Sequence, residues 1–317
     1  MFYKTRNHLG SKIAIMKKIL ITGGNGLVGS EFKSSKYFKI SSTDCDLRNF
    51  DSAKLTLNND FDGIIHCAAR VGGLGGNLNH KGEFFYDNIM INTNVIESAR
   101  LNGVQRLVAF LSTCVFPDTI EYPLTEDKIH QGSPHYSNDA YAYAKRMADI
   151  QIRAYSEQYN LKYTSVIPCN IYGPNDNYNI SNGHVIPSLI HKCYIAREKN
   201  QPLIVWGSGK PLREFIYSED VAYLADWILH NYSDSKPIIL STSEEISIGE
   251  VVEIIVELMN FKGKVIFDSS KPDGQYRKPS DNSKLKSYLP NYEFISIYDG
   301  LKKTINFFES NYSQIRK

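Results

Sequence analysis

A serine, a tyrosine and a lysine in the first half of the chain form a pattern typical of sites that donate a proton to a carbonyl oxygen. Tyr141 and Lys145 are four positions apart in a predicted helix, so their side chains share one helix face. A free phenol has a pKa of about 10, and a neighbouring ammonium group is expected to lower that pKa. Ser112 ends a predicted strand and is placed to hold the same oxygen by a hydrogen bond. The three residues are therefore candidates for acid catalysis.

Tyr143 is the competing tyrosine of this helix, but it lies two positions from Lys145 and faces another side. A single Tyr-x-x-x-Lys pair is more often a surface pair than a catalytic one. The catalytic interpretation therefore depends on a second pattern upstream, which predicts a hydride-carrying cofactor whose ribose Lys145 can also hold.

That second pattern is a glycine-rich turn with the spacing G-x-x-G-x-x-G, at Gly23, Gly26 and Gly29. The turn follows the apolar run 17–22 and precedes a helix that we predict over residues 27–36. The first glycine permits a tight turn, the second lets a pyrophosphate approach the backbone, and the third lets the helix pack on the strand. We therefore predict a dinucleotide site with its pyrophosphate at the N-terminus of this helix.

The end of the second predicted strand favours NADP over NAD. Residues 41–43 are Ser-Ser-Thr, where an NAD site usually carries an acid that binds the ribose 2′-OH. The first acid after them is Asp44, and the nearest candidate cations are Arg48 and, further away, Lys36.

Asp46 and Leu47 follow closely and are placed to contact the adenine. They fit equally well as a helix-capping aspartate and a core leucine. The sequence leaves both interpretations open.

The composition is ordinary for a soluble globular protein, with 42% hydrophobic and 22% charged residues in a chain of 317. A net charge of +2 gives no indication of a nucleic-acid partner or an anionic membrane. No apolar run approaches the roughly 20 residues that a bilayer-spanning helix needs. The five cysteines include no CxxC pair, which predicts free thiols in a reducing compartment such as the cytoplasm. The histidines are too dispersed to predict a metal site.

Residues 1–16 are predicted to form an extension outside the fold. Their apolar stretch, residues 13–16, is too short for the hydrophobic region of a signal peptide. Met16 is a second possible start of the chain.

Strand and helix patterns alternate along the first half, which predicts an α/β fold with a Rossmann-type doubly wound parallel sheet. We expect this domain over residues 17–170, with parts of later segments returning to it. Residues 171–317 are expected to form mainly a smaller α/β lobe that binds the substrate. In that half, helices are predicted at 184–199, 218–231, 248–261 and 297–311, and strands at 203–206, 238–241 and 264–267.

Longer motifs resemble one group of nucleotide-sugar enzymes. The glycine turn, Ser112 and the Tyr141–Lys145 pair are similar to those of extended short-chain dehydrogenase/reductases. The segments that resemble the GDP-L-fucose synthase family more closely are 69–76 (ARVGGLGG), 111–118 (LSTCVFPD), 175–187 (NDNYNISNGHVIP), 205–217 (VWGSGKPLREFIY) and 271–274 (KPDG). The resemblance runs from about Lys17 to the C-terminus. It implies 3,5-epimerisation of GDP-4-keto-6-deoxymannose, then reduction at C4 with NADPH, in an enzyme that is commonly a homodimer pairing long helices.

The resemblance places the family's epimerisation cysteine and histidine at Cys114 and His184. A C4 ketone acidifies the protons on C3 and C5, and inverting either carbon needs one group to remove a proton and another to return it to the opposite face. Cysteine and histidine both exchange protons near neutral pH. The alternatives are a buried small apolar side chain for Cys114 and a capping or hydrogen-bonded histidine at a helix start for His184.

The resemblance also implies contacts for the remaining parts of both ligands. Asn170 and Arg213 are expected at the diphosphate, where the guanidinium can bind in a bidentate way. Trp206 offers a flat face to the guanine, Asp273 an acceptor for GDP, and Lys192 stands where some relatives carry an arginine. The alternatives are a surface salt bridge for Arg213, a core aromatic for Trp206 and a turn aspartate for Asp273. The cofactor contacts implied are Gly23, Gly26, Leu27, Val28, Asp46, Leu47, Ala68, Ala69, Lys145, Pro168 and His184.

Two other functions stay open at this point. A C4 reductase of a GDP-4-keto-heptose or 6-deoxyheptose, in bacterial capsule or surface-polysaccharide synthesis, would keep the fold and lack epimerase activity. The presence of Cys114 and His184 permits epimerisation without proving it. A non-catalytic dinucleotide sensor would keep the glycine turn but would not need Ser112, Tyr141 and Lys145 together.

Overall fold

The computed structural model describes residues 16–58, 60–72, 79–271 and 273–317. The strands of its main sheet are β1 (Ile19–Thr22), β2 (Tyr37–Ile40), β3 (Gly63–His66), β4 (Arg106–Phe110), β5 (Lys162–Pro168) and β9 (Ile238–Leu240). All neighbouring pairs are parallel, in the order β2-β1-β3-β4-β5-β9. The sheet confirms the predicted α/β class with a doubly wound parallel sheet.

Two smaller sheets come from the second half of the chain. Their strands are β6 (Asn170–Tyr172), β7 (Leu203–Trp206), β8 (Leu212–Tyr217), β10 (Glu245–Ser247) and β11 (Val265–Asp268). In the first small sheet, β8 lies between β6 and β10, parallel to β6 and antiparallel to β10. In the second, β7 and β11 pair in parallel.

Helices cover both faces of the main sheet. They are α1 (Phe50–Thr56), α2 (Lys81–Leu101), α3 (Asp139–Tyr159), α4 (Val185–Glu198), α5 (Ser218–Asn231), α6 (Ile248–Leu258), α7 (Ser283–Tyr288) and α8 (Ile297–Ser310). Strand β1 is buried along its whole length, as expected for a parallel strand covered on both sides. Leu20 packs into the core under α2 and α3, whereas its neighbours Ile19 and Ile21 pack toward α5. A third core joins α4, α6 and α8.

Long periodic segments follow the sequence prediction closely. The helix predicted at 218–231 and the strand predicted at 203–206 have the bounds of α5 and β7. Gly103, just after α2, has a φ of +73°, the left-handed conformation that ends helices. Two elements from the second half belong to the first domain: strand β9 pairs with β5 in the main sheet, and helix α5 packs on strands β3 and β4.

The helix predicted over residues 27–36 is wrong. Only a three-residue 3-10 turn forms there, Gly29–Glu31, and the chain becomes extended at Phe32. Phe32 is buried in the core, and the two serines that follow favour turns over helix, with the Tyr37 N–H donating to the Ser34 carbonyl oxygen. The short elements β6, β8, β10 and α7 were not predicted, because they are brief or, like β8, carry charged residues within the strand.

The N-terminal prediction needs one correction. Met16, which we grouped with the extension, is buried and belongs to the core on the α5 side of the sheet. Residues 1–15 lie outside the described residues, as do residues 73–76 of one resembling segment. Among the described helices, none has the length and hydrophobicity that a bilayer crossing requires.

The third glycine of the turn gives a test of this packing. A Cβ at Gly29 would lie 2.2 Å from the Gly23 carbonyl oxygen, so Gly29→Ala must displace backbone. We expect a loss of about 2 kcal/mol in the free energy of unfolding, measured by urea titration. Gly82→Ala is the matched control, because its Cβ meets nothing within 4 Å, and its effect should stay within about 1 kcal/mol. Equal effects of the two substitutions would contradict the packing described.

Candidate active site

A large cleft of about 1460 Å³ opens at the carboxyl ends of β1, β3, β4 and β5. Strand-end loops line it because parallel strands deliver their following residues to one edge of the sheet. Every predicted cofactor residue lines this cleft: Gly23, Gly26, Leu27, Val28, Asp46, Leu47, Ala68, Ala69, Lys145, Pro168 and His184. Ser112, Tyr141, Asn170, Lys192 and Trp206 also line it. The cleft thus brings the two sequence patterns together.

The glycine turn brings backbone close to the cleft. Gly23 has a φ of +70°, and a Cβ there would lie 2.9 Å from the Ala68 nitrogen at the end of β3. Only glycine fits between these two strand ends, so the turn leaves room for a phosphate group beside main-chain N–H groups. The residues present therefore fit a dinucleotide. The predicted helix N-terminus at the pyrophosphate is wrong, since only the 3-10 turn Gly29–Glu31 follows.

Hydroxyl groups and a neutralised arginine occupy the end of β2. The Ser41 Oγ donates to the Asp44 carboxylate at 2.7 Å, and the Ser41 N–H donates to the same carboxylate at 2.8 Å. Arg48 donates to both oxygens of Asp46 at 2.9 Å and to Asp87 at 3.3 Å. The positive charge of Arg48 is thus balanced by the carboxylates of Asp46 and Asp87. The hydroxyl groups of Ser41 and Ser42 line the cleft at the end of β2.

Lys145 is buried, with 1% of its surface exposed. Its ammonium donates to the Phe110 carbonyl oxygen at 2.8 Å and lies 5.9 Å from the centre of the Tyr141 ring. Burial lowers the pKa of Lys145 to about 8, while the nearby thiols of Cys114 and Cys67 act in the opposite direction. The amine is therefore still mainly protonated at neutral pH.

The expectation that Lys145 acidifies Tyr141 is wrong for this structure. Burial raises the pKa of the Tyr141 phenol above its usual value, and the Cys114 thiol adds to the rise. Desolvation of the phenolate is the largest cause of this rise. Tyr141 therefore stays protonated at neutral pH. By contrast, 38% of Tyr143 is exposed, and its ring faces the guanidinium of Arg146.

A small cavity of about 230 Å³ adjoins the cleft and contains Cys114. The residues that line both spaces are Ser112, Thr113, Cys169 and Asn170. Arg213 and Lys278 also line the small cavity, and in the described part of the chain neither forms a salt bridge. Burial lowers the pKa of both cations. Sequence reasoning missed Lys278, although it lies only four residues after the KPDG segment.

Cys114 lies in a positive environment. Burial raises the pKa of its thiol, whereas a hydrogen bond with Ser112 and the charges of Lys278 and Lys145 act to lower it. His184 immediately precedes α4 and lines the large cleft rather than the small cavity. Its Nδ1 lies 3.3 Å from Asp176 Oδ1, and this hydrogen bond raises the pKa of the imidazole. The two candidate proton carriers thus have opposite surroundings.

Trp206 forms an exposed aromatic face at the far end of the cleft. It is 53% exposed, and the ammonium groups of Lys192 and Lys271 lie 4.2 Å and 5.9 Å from its ring centre. Asn170 donates through Nδ2 to the Glu214 carbonyl oxygen at 2.8 Å. Asp273 lines neither space, because its carboxylate oxygens accept hydrogen bonds from the Ser208 N–H and hydroxyl. A contact of Asp273 with GDP stays a prediction.

Comparison with known proteins defines the class. Residues 19–249 match the NAD dependent epimerase/dehydratase family, and the chain belongs to that family. Within the family, the chain is 49% identical over 315 residues to the GDP-L-fucose synthase of Dictyostelium discoideum, a match covering 95% of this chain and 98% of the relative. The resemblance to GDP-L-fucose synthases inferred from the sequence motifs is thereby confirmed.

Solved structures agree with this assignment. A GDP-L-fucose synthetase from Naegleria fowleri bound to NADP superposes with a TM-score of 0.90 at 43% identity, covering 95% of each chain. The GDP-mannoheptose C4 reductase MlghC from Campylobacter jejuni, with NADP bound, superposes with a TM-score of 0.82 at 26% identity, covering 95% of this chain and all of that one. The fold is shared by both, and the sequence is closer to the first.

Proposed function

We propose that this protein epimerises C3 and C5 of a GDP-linked 4-keto-6-deoxy sugar and then reduces C4 with NADPH. One observation carries the proposal: Ser112, Tyr141 and Lys145 share a cleft with the glycine turn, and a cavity with two unpaired cations adjoins it. The cleft fits a dinucleotide at one end. The adjoining cations fit a diphosphate.

The cofactor of the proposed reaction is NADP. The relative from Naegleria fowleri binds NADP, and here the end of β2 presents serine hydroxyls while the Asp44 carboxylate is engaged by Ser41. An acid free to bind a ribose 2′-OH would repel a 2′-phosphate. The hydroxyls of Ser41 and Ser42 in the cleft impose no such repulsion.

In the reduction, Tyr141 acts as the acid and Ser112 as the hydrogen-bond donor to the C4 oxygen. NADPH, when bound, supplies the hydride. As C4 becomes tetrahedral, its oxygen becomes an alkoxide, which is basic enough to take the proton from a phenol of raised pKa. The Tyr141 phenolate left behind is stabilised by the Lys145 ammonium, since charges interact strongly in a buried site. The hydroxyl of Ser112 helps to hold the developing negative charge.

In the epimerisation, Cys114 and His184 exchange protons with C3 and C5. Burial raises the pKa of the Cys114 thiol, and the charges of Lys278 and Lys145 partly offset that rise, so we assign Cys114 as one of the two proton carriers. His184 is paired with Asp176, which favours the protonated imidazole and its use as an acid. Cys114 lines the small cavity and His184 lines the adjoining cleft, so the two proposed proton carriers lie in neighbouring spaces.

The GDP end is held by cations and one aromatic face. Arg213 and Lys278 supply two positive charges near Cys114, and Asn170 shares their cavity. Lys192 lies over Trp206 and provides a point charge in place of a bidentate fork. We assign these residues to the diphosphate and the guanine of the substrate. Under this assignment residues 171–317 supply most of the sugar-nucleotide site, and residues 17–170 most of the cofactor site.

The expected assembly is a homodimer in the cytoplasm. Helices α2 and α3 pack together and present apolar side chains outward, among them Phe85, Leu101, Met147 and Ile150. Such a paired helical face is suited to a second copy of the chain. The five cysteines are all free, which suits a reducing compartment.

The competing function is reduction of a GDP-4-keto-heptose without epimerisation. The reductase from Campylobacter jejuni shares the fold. Identity of 26% to it, against 49% to the Dictyostelium discoideum synthase, favours the 6-deoxyhexose.

Replacement of the phenol tests the acid. Tyr141→Phe removes the proton donor but keeps the ring, so the rate of NADPH oxidation with a GDP-4-keto sugar should fall at least about a hundredfold. The Kd for NADPH, measured by fluorescence titration, should change by less than about twofold, because the ring is retained. Tyr143→Phe, on the same helix, is the control and should retain the wild-type rate. Normal turnover by Tyr141→Phe would refute the acid assignment.

Solvent exchange tests the proton carriers and the substrate together. The wild-type enzyme is run in D₂O with GDP-4-keto-6-deoxymannose and with a GDP-4-keto-heptose, and the products are examined by NMR and mass spectrometry. We expect deuterium at C3 and C5 of the hexose product, and its loss at one or both carbons in Cys114→Ser and His184→Asn. Reduction of the heptose without deuterium uptake from either substrate would favour the competing function.

The pH dependence of reduction tests Lys145. Since burial lowers its pKa to about 8, the ammonium is present below that pH and is lost above it. The rate of NADPH oxidation should therefore fall as pH rises through about 8. In Lys145→Arg, whose guanidinium keeps its charge, any residual activity should persist to higher pH. A rate that stays constant from pH 7 to 9.5 in the wild-type enzyme would contradict a role for the charge.

A further inference from the structure

Asp176 is a buried acid that reaches His184 from the loop between β6 and α4. Its side chain is about 3% exposed, and its Oδ1 accepts a hydrogen bond from the Asn177 N–H at 2.7 Å. The same oxygen lies 3.3 Å from His184 Nδ1. The other oxygen, Oδ2, is buried and has no hydrogen-bond partner among the described residues. A buried carboxylate with one oxygen unpaired is costly unless a positive charge lies beside it.

His184 is placed to supply that charge. It is the residue that pairs with Asp176 in the described part of the chain, and its side chain is 47% exposed at the wall of the cleft. Because Nδ1 is directed at the carboxylate, Nε2 is the ring nitrogen left to face the cleft. Buried carboxylates orient imidazoles in this way and fix which nitrogen carries the exchangeable proton.

A second positive charge approaches from the C-terminal segment. Arg316 lines the cleft, and its carbonyl oxygen accepts a hydrogen bond from the Tyr178 N–H at 2.9 Å. This main-chain contact holds Arg316 beside the loop that carries Asp176. The guanidinium opposes a positive charge on His184, whereas the carboxylate favours it. The pKa of His184 is raised, because the hydrogen bond to Asp176 outweighs both burial and Arg316.

We propose that Asp176 is a positioning residue that keeps the His184 imidazole protonated with Nε2 toward the sugar, and that Arg316 limits this effect. The proposal deepens the epimerase function proposed above and rests on it for its catalytic meaning. The contact itself is a property of the folded protein and is tested without turnover.

The direct test is an NMR titration of His184 in the full chain saturated with NADP⁺, using histidine labelled at Cε1. The His184 signal is assigned by its loss in His184→Asn. We expect the titration midpoint to move to lower pH in Asp176→Asn and to higher pH in Arg316→Gln. Asp234→Asn, which removes an exposed acid elsewhere, is the control and should leave the midpoint unchanged. Unchanged midpoints in both test variants, or movement in the same direction, would overturn the proposal.

Catalysis gives a second readout. If His184 works as the acid, deuterium uptake in Asp176→Asn should be lost at lower pH than in the wild type, with about a tenfold deficit at pH 8.5. Reduction of an already epimerised sugar should change less than twofold. Asp176→Glu, which keeps the charge, should restore both the titration midpoint and the deuterium uptake. That rescue would show that the loss in Asp176→Asn comes from the missing charge and not from misfolding. If the midpoint moves but the wild-type enzyme takes up no deuterium, the Asp176–His184 interaction is supported and the epimerase function is rejected.

Discussion

The buried ammonium group of Lys145 is the constraint on which the catalytic centre depends. A charged amine is withdrawn from water only at great cost unless it finds a partner, and here that partner is the Phe110 carbonyl oxygen at 2.8 Å. In the described part of the chain no carboxylate forms a salt bridge with it. This contact fastens α3 across the end of β4. Tyr141, one helical turn before Lys145, and Ser112, two residues beyond Phe110, line the same cleft.

The lack of a carboxylate partner has a chemical consequence. Burial raises the pKa of the Tyr141 phenol, which is therefore uncharged before the proposed reduction, whereas Lys145, with its pKa lowered to about 8, is still mainly protonated at neutral pH. A resting enzyme of this kind carries no phenolate. When a substrate alkoxide takes the phenolic proton, the negative charge appears next to a cation that had none to balance it. Stabilisation of that kind increases as the reaction proceeds, which is what lowers a barrier.

The sequence predicted the parts of this arrangement that depend on local periodicity. The strands and the long helices α2 and α3 could be read from apolar spacing, and the glycine turn from its position after β1. The helix after the turn was mispredicted, because the burial of Phe32 is a tertiary effect. The direction of the Tyr141 pKa was mispredicted for the same reason, since burial is not visible in a four-residue spacing. Lys278 and Arg316 were missed because they reach the site from parts of the chain distant in sequence, and Asp176 was missed because its burial beside His184 is not visible in the sequence of segment 175–187.

The two spaces at the sheet edge also bear on the choice of sugar. In the proposed assignment Arg213 and Lys278 bind a diphosphate, and that interaction is the same for a hexose and a heptose. Phe116, two residues after Cys114, is 1% exposed in the core and lines neither space. Thr113 lines both. Under the proposed function, the short turn carrying Thr113 and Cys114 is the part of this wall that meets the sugar, and a proton-exchanging thiol there suits a sugar whose ring carbons must be inverted.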